Sequence, residues 1–217
     1  SQARQNSTNA QLRNGASNHG RSTSSSAFSK LSSNTGKPAT KVILVEPAGE
    51  INLGSVARLC ENYGVHELRL VAPRCNPNNP QARQMAVRGI KLLETARVFS
   101  SLLDAISDCN RVVATCGRIE HGDIPLQTTE EALPWLLNTS DSSAIALVFG
   151  REDRGLTNKE LQLAHKVITI ETTPNYPSLN LSHAVAVVLH ELQRYKQKTI
   201  NRVLQKTIST HPASPLQ

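Results

Sequence analysis

Short apolar runs alternate along the chain with longer segments in which apolar residues recur every three or four positions. The short runs predict strands buried on both faces, and they cover residues 42–45, 68–71, 111–116, 144–149 and 166–170. The longer segments predict helices at 53–63, 81–94, 101–108, 130–137, 157–164 and 180–197. This alternation predicts an α/β fold with a mostly parallel sheet and helices on both faces.

The last predicted strand and helix are separated by a polar segment. Ser178, Asn180 and Ser182 gather where the strand has ended and the helix begins. In open α/β sheets, ligands bind beside the carboxyl ends of the strands. Serine and asparagine are also common N-caps, so this segment alone leaves both a binding role and a capping role open.

Composition divides the chain into three parts. Residues 1–40 are rich in Ser, Asn and Gln and almost lack large apolar residues, which predicts a disordered tail, because too little surface can be buried to offset the ordering entropy. A folded domain is expected over 41–197, and a second tail over 198–217. The chain has no apolar run of about 18 residues, and its first residues lack the apolar core of a secretory signal. We therefore expect no membrane span and a cytoplasmic location.

The positive charge is concentrated at the two ends. Residues 1–41 hold six basic and no acidic side chains, and residues 192–217 hold five and none, whereas the rest has 17 acidic and 13 basic. Basic arms suit a phosphate-rich partner, although they also serve solubility. The four cysteines have neither C-x-x-C spacing nor a nearby histidine at ligand spacing, so we expect free thiols and no metal.

Two further segments combine polar side chains with glycine. Asn52-x-Gly54-x-x-x-Arg58 opens a predicted helix, where the N-terminus favours anions and an arginine can bind phosphate. Gly150-x-Glu152-x-x-Gly155 follows the most apolar strand, and it matches neither a Walker loop nor a dinucleotide fingerprint. A solvated helix face and a charged surface turn are the plain structural alternatives for the two segments.

The three segments together resemble the motifs of the SpoU/TrmH family of RNA 2′-O-ribose methyltransferases, within the SPOUT class. They occur in the family's order, as Asn52 to Arg58, Val148 to Leu156 and Ser178 to Ala184, inside a resemblance that runs from about Lys41 to Tyr195. The amino-acid sequence from Asn175 to Leu181 is most similar to that of the TrmJ branch, which modifies the tRNA anticodon loop.

This resemblance implies a fold, a cofactor and an assembly. The fold would be of the SPOUT type with a C-terminal trefoil knot, which general topology rules would not suggest. The cofactor would be S-adenosylmethionine, and the active site would form across a homodimer. The implied cofactor-binding residues are Thr115, Cys116, Gly117, Gly150, Ile170, Ser178, Leu179 and Asn180.

The implied reaction is 2′-O-methylation of a ribose in RNA, with tRNA and a cytidine or uridine of its anticodon loop as the expected substrate. Arg58 is the residue to which the family assigns catalysis. A guanidinium stays protonated at neutral pH and is therefore a poor base. We expect Arg58 at least to bind a phosphate and to stabilise the alkoxide that forms on the ribose. Asn52 would position Arg58 or the ribose, and Glu152 would orient the first motif.

Ser178 and Asn180 would bind the target nucleotide or shape the cofactor loop. Relatives of the TrmJ type usually carry a C-terminal helical extension, which is largely missing after the last predicted helix here. Ribosomal RNA therefore stays open as an alternative substrate. A non-catalytic RNA-binding protein is a separate alternative at the level of sequence.

Overall fold

A computed structural model describes residues 37–117, 121–140 and 142–210. Six strands form one sheet in the order β3-β2-β1-β5-β4-β6, and every pairing between neighbours is parallel. The strands are β1 (Ala39–Val45), β2 (Glu67–Val71), β3 (Arg97–Phe99), β4 (Arg111–Thr115), β5 (Ala144–Phe149) and β6 (Lys166–Ile168). The predicted α/β class with a parallel sheet is confirmed.

Helices cover both faces of this sheet. They are α1 (Glu50–Asn62), α2 (Pro80–Ala86), α3 (Ile90–Glu94), α4 (Leu102–Ile106), α5 (Thr129–Leu137), α6 (Asn158–Leu161) and α7 (Leu181–Thr210), with a 3-10 turn at Val87–Gly89. Side chains alternate along the strands, so that Val42 packs with α1, α5 and α7 while Ile43 packs with α4 and α6. Both side chains are fully buried, which explains the uninterrupted apolar runs.

Some predicted elements differ from the observed ones. Strand β3 was not predicted, because it is a three-residue edge strand whose Arg97 and Val98 are exposed. Helix α7 ends at Thr210 instead of 197, so residues 198–210 of the predicted tail are helical. Residues 1–36 and 211–217 of the two predicted tails lie outside the described residues. Strand order does not define the path of the chain after β6, so the knot stays a prediction.

The described part of the chain contains no helix with the length and apolar character that a membrane crossing requires. The cytoplasmic location stays a prediction.

A buried ion cluster ties together the amino ends of the strands. Arg69 in β2 is completely buried, and its guanidinium donates to Asp108 at 2.6 and 2.7 Å and to Glu67 at 2.9 Å. Glu67 also accepts from Lys41 at 2.8 Å and from Arg97 at 2.5 Å. Burial opposes ionisation of Glu67, but these hydrogen bonds outweigh it and lower its pKa to about 2.

We predict that Glu67→Gln loses a stabilisation that depends on pH. A carboxyl with a lowered folded-state pKa stabilises the protein fully above its unfolded pKa of about 4.5, and this contribution is lost as the pH falls toward about 2. The free-energy gap between wild type and Glu67→Gln, measured by urea unfolding, should therefore be larger at pH 6 than at pH 3. Glu61→Gln on the exposed side of α1 is the control, and a gap for Glu67→Gln that is equal at both pH values would contradict the prediction.

Candidate functional site

The three motif segments lie at one edge of the sheet. Each follows the carboxyl end of a parallel strand, or leads from such a strand into a helix: β1 leads to Asn52, β5 leads to Gly150, and β6 leads to Ser178. Strands β1, β5, β4 and β6 are consecutive neighbours, so the loops that leave them share this edge. Ligands of parallel α/β proteins bind at such an edge.

Helix α1 carries the first segment and is packed closely on its buried side. Gly54 is buried, and a Cβ on it would lie under 3.0 Å from the backbone oxygen of Ala82 in α2. Glycine at position 54 therefore allows α1 and α2 to pack closely. Arg58 lies on the exposed side of α1, and no described residue forms an ion pair or hydrogen bond with its side chain.

The carboxylate of Glu152 connects the second segment to the first. Its oxygens accept hydrogen bonds from the backbone N–H groups of Ala48, at 3.0 and 3.2 Å, and Gly49, at 3.0 Å. Gly49 is the N-cap of α1 and has no side chain with which to cap it. A negative charge at this end of a helix is favourable, and Asn52 Nδ2 lies beside the same glycine. These hydrogen bonds are the contact that the predicted orienting role of Glu152 requires. The role itself stays a prediction.

Ion pairs of Glu46 fix the same loop. Glu46, at the end of β1, pairs with Arg154 from the second segment and with Arg74 at 2.8 Å. The hydrogen bond from Arg74 is the main cause of a lowered pKa at Glu46, and the charge of Arg154 contributes. Sequence analysis missed this pair, because only the fold brings Glu46 next to a side chain 108 positions away.

Two glycines shape the loop that holds Glu152. Gly155 has a φ of 66° and donates its N–H to the carbonyl of Arg151 at 2.8 Å. A Cβ on Gly150 would lie under 3.0 Å from the backbone of Gly155 and Leu156, so the chain folds back directly onto Gly150. Leu156 then enters the core, where it is 1% exposed.

The predicted cofactor residues after β4 differ in their surroundings. Thr115 donates its hydroxyl to the carbonyl of Val148 at 3.1 Å, which links β4 to β5. Cys116 is buried, and its N–H donates to the carbonyl of Ile168 at 2.9 Å. Gly117 is exposed, and a Cβ on it would meet none of the described residues within 4 Å. The exposed backbone at Gly117 fits the predicted contact with a ligand.

The segment between β6 and α7 exposes its backbone. Ile170 is half-buried against the core, while Ser178, Leu179 and Asn180 are exposed. Among the described residues, no acceptor binds the N–H groups of these four residues. The exposed N–H and carbonyl groups of this segment suit the polar edge of a heteroaromatic ring, and the partly exposed Leu179 offers it an apolar contact.

Asn180 is the N-cap of α7. Its Oδ1 accepts hydrogen bonds from the N–H of Ser182 at 3.0 Å and from the Ser182 hydroxyl at 2.7 Å. The capping role that the sequence left open is therefore present, and the binding role stays a prediction. Within one chain the structure joins Glu152 to the start of α1, while no described hydrogen bond or ion pair joins Arg58 to Ser178 or Asn180.

The described residues contain no group of His, Cys, Asp and Glu side chains that could hold a metal ion. The absence of a metal in the working protein stays a prediction.

Comparison with known proteins extends these observations. The family model described as the SpoU rRNA methylase family matches residues 39–190. The tRNA (cytidine-2′-O-)-methyltransferase TrmJ of Methanocaldococcus jannaschii is 40% identical over 167 residues, which are 75% of this chain and 70% of that protein. The tRNA (cytidine/uridine-2′-O-)-methyltransferase TrmJ of Pectobacterium atrosepticum is 36% identical over 70% of this chain and 63% of its own length.

Solved structures show the same similarity. The crystal structure of TrmJ from Z. mobilis has a TM-score of 0.66 and 34% sequence identity, and it covers 82% of this chain and 72% of that one. A probable methylase family protein from Haemophilus influenzae has a TM-score of 0.68 and 30% identity, over 83% of this chain and 73% of that chain.

We predict different outcomes for alanine at two glycines of the candidate site. Gly150→Ala should destabilise the protein by about 1–3 kcal/mol, because its Cβ would overlap the returning backbone. Gly117→Ala should change stability by less than about 0.5 kcal/mol, because its Cβ would meet none of the described residues. Urea unfolding of both variants measures the difference, and equal stability of the two would show that the loop does not fold back as described.

Proposed function

The chain belongs to the SpoU rRNA methylase family, and we propose that it transfers a methyl group from S-adenosylmethionine to a ribose 2′-oxygen of tRNA. The observation that carries this proposal is the gathering of all three motif segments at the carboxyl edge of the sheet, with Glu152 bonded to the start of the Arg58 helix. The names of the two similar TrmJ proteins support tRNA, and a cytidine or uridine, as the substrate.

The described residues fit S-adenosylmethionine. Its adenine needs hydrogen-bonding partners at the ring edge and apolar contact on the ring faces, and the open backbone around Ile170 and Leu179 supplies both. Gly117 leaves room beside the end of β4, and Gly150 brings the backbone of β5 to the same edge. The complete proposed set is Thr115, Cys116, Gly117, Gly150, Ile170, Ser178, Leu179 and Asn180.

Bound S-adenosylmethionine supplies an electrophilic methyl group on a positively charged sulfur. The protein must make the ribose 2′-hydroxyl a better nucleophile, since a neutral hydroxyl attacks poorly until its proton leaves. Arg58 is exposed and has no partner among the described residues, so its guanidinium is free to bind RNA. It would hold a neighbouring phosphate with two N–H groups and stabilise the negative charge that develops on the 2′-oxygen.

The other site residues would position these groups. Glu152 would fix the start of α1 through Ala48 and Gly49, and thereby fix the direction in which Arg58 projects. Asn52, beside Gly49, would contact the ribose or Arg58. Ser178 and Asn180 would shape the loop that holds the cofactor and contact the target nucleotide.

The active unit would be a homodimer. Within one chain, no hydrogen bond or ion pair among the described residues joins Arg58 to the segment that contains Ser178. In a two-fold symmetric dimer, α1 of each subunit would lie beside the Ser178 segment of its partner, so that two complete sites would form. The resemblance of the motifs to the SpoU/TrmH family supports this arrangement.

The direct test follows labelled methyl groups from S-adenosylmethionine into purified bulk tRNA and, separately, into ribosomal RNA, with nucleoside analysis of the products. The proposal predicts a 2′-O-methylated cytidine or uridine in tRNA. Label confined to ribosomal RNA would support the proposed reaction but contradict tRNA as the substrate. Absence of both transfer and cofactor binding would favour a non-catalytic RNA-binding protein.

In the same assay we predict that Arg58→Ala lowers methyl transfer by about a hundredfold or more, because a donor to the developing negative charge is lost. Cofactor affinity should stay within about twofold, and stability within about 0.5 kcal/mol, since Arg58 is exposed and unpaired. Arg88→Ala, another exposed arginine without an ion pair among the described residues, is the control. Near-normal transfer by Arg58→Ala would overturn the role given to Arg58.

A further inference from the structure

Helix α7 extends beyond the core of the domain. Its buried residues all lie in its first half and are Leu181, Val185, Val188, Leu189 and Leu192. Every residue from 201 to 210 is exposed, so no other described element covers this part of the helix. The second half of α7 is therefore an accessible surface on the described part of the chain.

The exposed part of α7 carries charge of one sign. Lys198, Arg202 and Lys206 lie four residues apart, which places them in one line along the helix. These three residues form the basic row. The chain contains no acidic residue after Glu191. Among the described residues, the side chains of Arg202 and Lys206 have no ion-pair or hydrogen-bond partner, and the amine of Lys198 lies 5.3 Å from the ring centre of Tyr195.

The basic row opposes the stability of the free helix. Like charges four residues apart on a helix repel each other, and residues 201–210 lack the buried contacts that usually stabilise a helix. A polyanion that lies along the row would replace this repulsion with attraction. Successive members of the row are about 6 Å apart along the helix axis, so the matching partner carries regularly repeated negative charges, as the backbone of a nucleic acid does.

The other sides of the helix favour a nucleic acid over a membrane surface. Asn201 and Gln205 are exposed and directly precede two members of the basic row, and such amides commonly bind phosphate and sugar groups. Ile200, Leu204 and Ile208 lie on the opposite side, since each is two residues, or about 200°, from a member of the row. The exposed part of α7 contains no aromatic side chain, whereas helices that lie on membranes often insert Trp or Phe.

The basic row is far from the candidate site along the same helix. Helix α7 begins at Leu181, directly after the segment that contains Ser178 and Asn180. At about 1.5 Å per residue, Lys198 lies about 26 Å and Lys206 about 38 Å along the axis from that start. An RNA with its target ribose at the site must therefore extend over this distance to reach the row of the same chain.

We propose that the basic row binds the phosphate backbone of the RNA substrate at a second place, away from the methylated nucleotide. Phosphates of one strand would contact the three cations in succession, and Asn201 and Gln205 would bind neighbouring sugar or phosphate groups. Contacts of this kind carry no sequence information, so the row would select a structured RNA that is long enough to reach both places. The inference rests on the proposed function, because it takes RNA as the substrate.

The first test removes the two members of the row that have no partner among the described residues. Arg202→Gln/Lys206→Gln should weaken binding of bulk tRNA about tenfold at low salt and lower the slope of log affinity against log salt by about two, as expected for two lost phosphate contacts. The KM for tRNA should rise while kcat stays within about twofold, because the row lies away from the reacting atoms. The melting temperature should stay the same or rise, since a repulsion within the helix is removed, whereas a purely structural role would lower it.

Two control variants separate the basic row from the helix and from charge in general. Leu204→Gln/Ile208→Gln places the same replacement residues on the opposite side of α7 and should leave tRNA affinity and the salt slope nearly unchanged. Lys159→Gln, at an exposed position of α6, should also leave the slope nearly unchanged. Binding of the wild type to vesicles of anionic phospholipid, with tRNA binding unchanged in the basic-row variant, would overturn the inference in favour of a membrane surface.

The second test uses the length of the substrate. A stem-loop fragment that carries the methylated nucleotide but cannot extend about 26 Å from it should have the same KM with the wild type and with Arg202→Gln/Lys206→Gln. Full-length tRNA should differ about tenfold in KM between the two proteins. An equal loss on the fragment would show that the row acts at the target nucleotide itself and would contradict a second place of contact.

The outcomes distinguish this inference from the proposed function. Binding of bulk tRNA requires no methyl transfer, so weaker binding by the basic-row variant supports the row even if the reaction is different. An active wild type, with KM, affinity and salt slope unchanged in the variant, would overturn the row and leave the proposed function intact.

Discussion

The hydrogen bonds from the N–H groups of Ala48 and Gly49 to the carboxylate of Glu152 join parts of the chain that are more than a hundred residues apart. Without them, the first turn of α1 would have no side-chain cap, since Gly49 has no side chain to supply one. An ionised carboxylate is a strong acceptor at this position because the N-terminus of a helix is partially positive. This one interaction therefore helps to fix both the direction of Arg58 and the course of the loop after β5.

The remaining packing makes that interaction possible. Gly150 lets the loop fold back on itself, and the pair of Glu46 with Arg154 holds its far side. On its buried side, α1 is held against α2 by the close approach at Gly54. At the opposite end of the sheet, the completely buried Arg69 donates hydrogen bonds to Glu67 and Asp108 and thereby connects the amino ends of the strands. Arg58 is thus an exposed side chain on a helix that is fixed on several sides, which is how a rigid fold presents a group to a large substrate.

Sequence periodicity predicted most of the fold, because strands buried on both faces leave uninterrupted apolar runs such as Ala144–Phe149. The short edge strand Arg97–Phe99 was missed because two of its three side chains are exposed. The end of α7 was placed too early, since its last ten residues are exposed and show no buried face to mark their helix. The motifs indicated the site, but the backbone N–H groups that donate to Glu152 reach it only because the fold brings the two segments together.

The most direct test of this account compares methyl transfer by Glu152→Gln and Asp153→Asn with that of the wild type. Both changes remove one negative charge from the same loop, but Asp153 is exposed and pairs with Arg151 alone among the described residues. We expect kcat to fall about tenfold or more for Glu152→Gln and to stay within about twofold for Asp153→Asn, because only Glu152 holds the start of α1. Equal kcat values for the two variants would contradict the account.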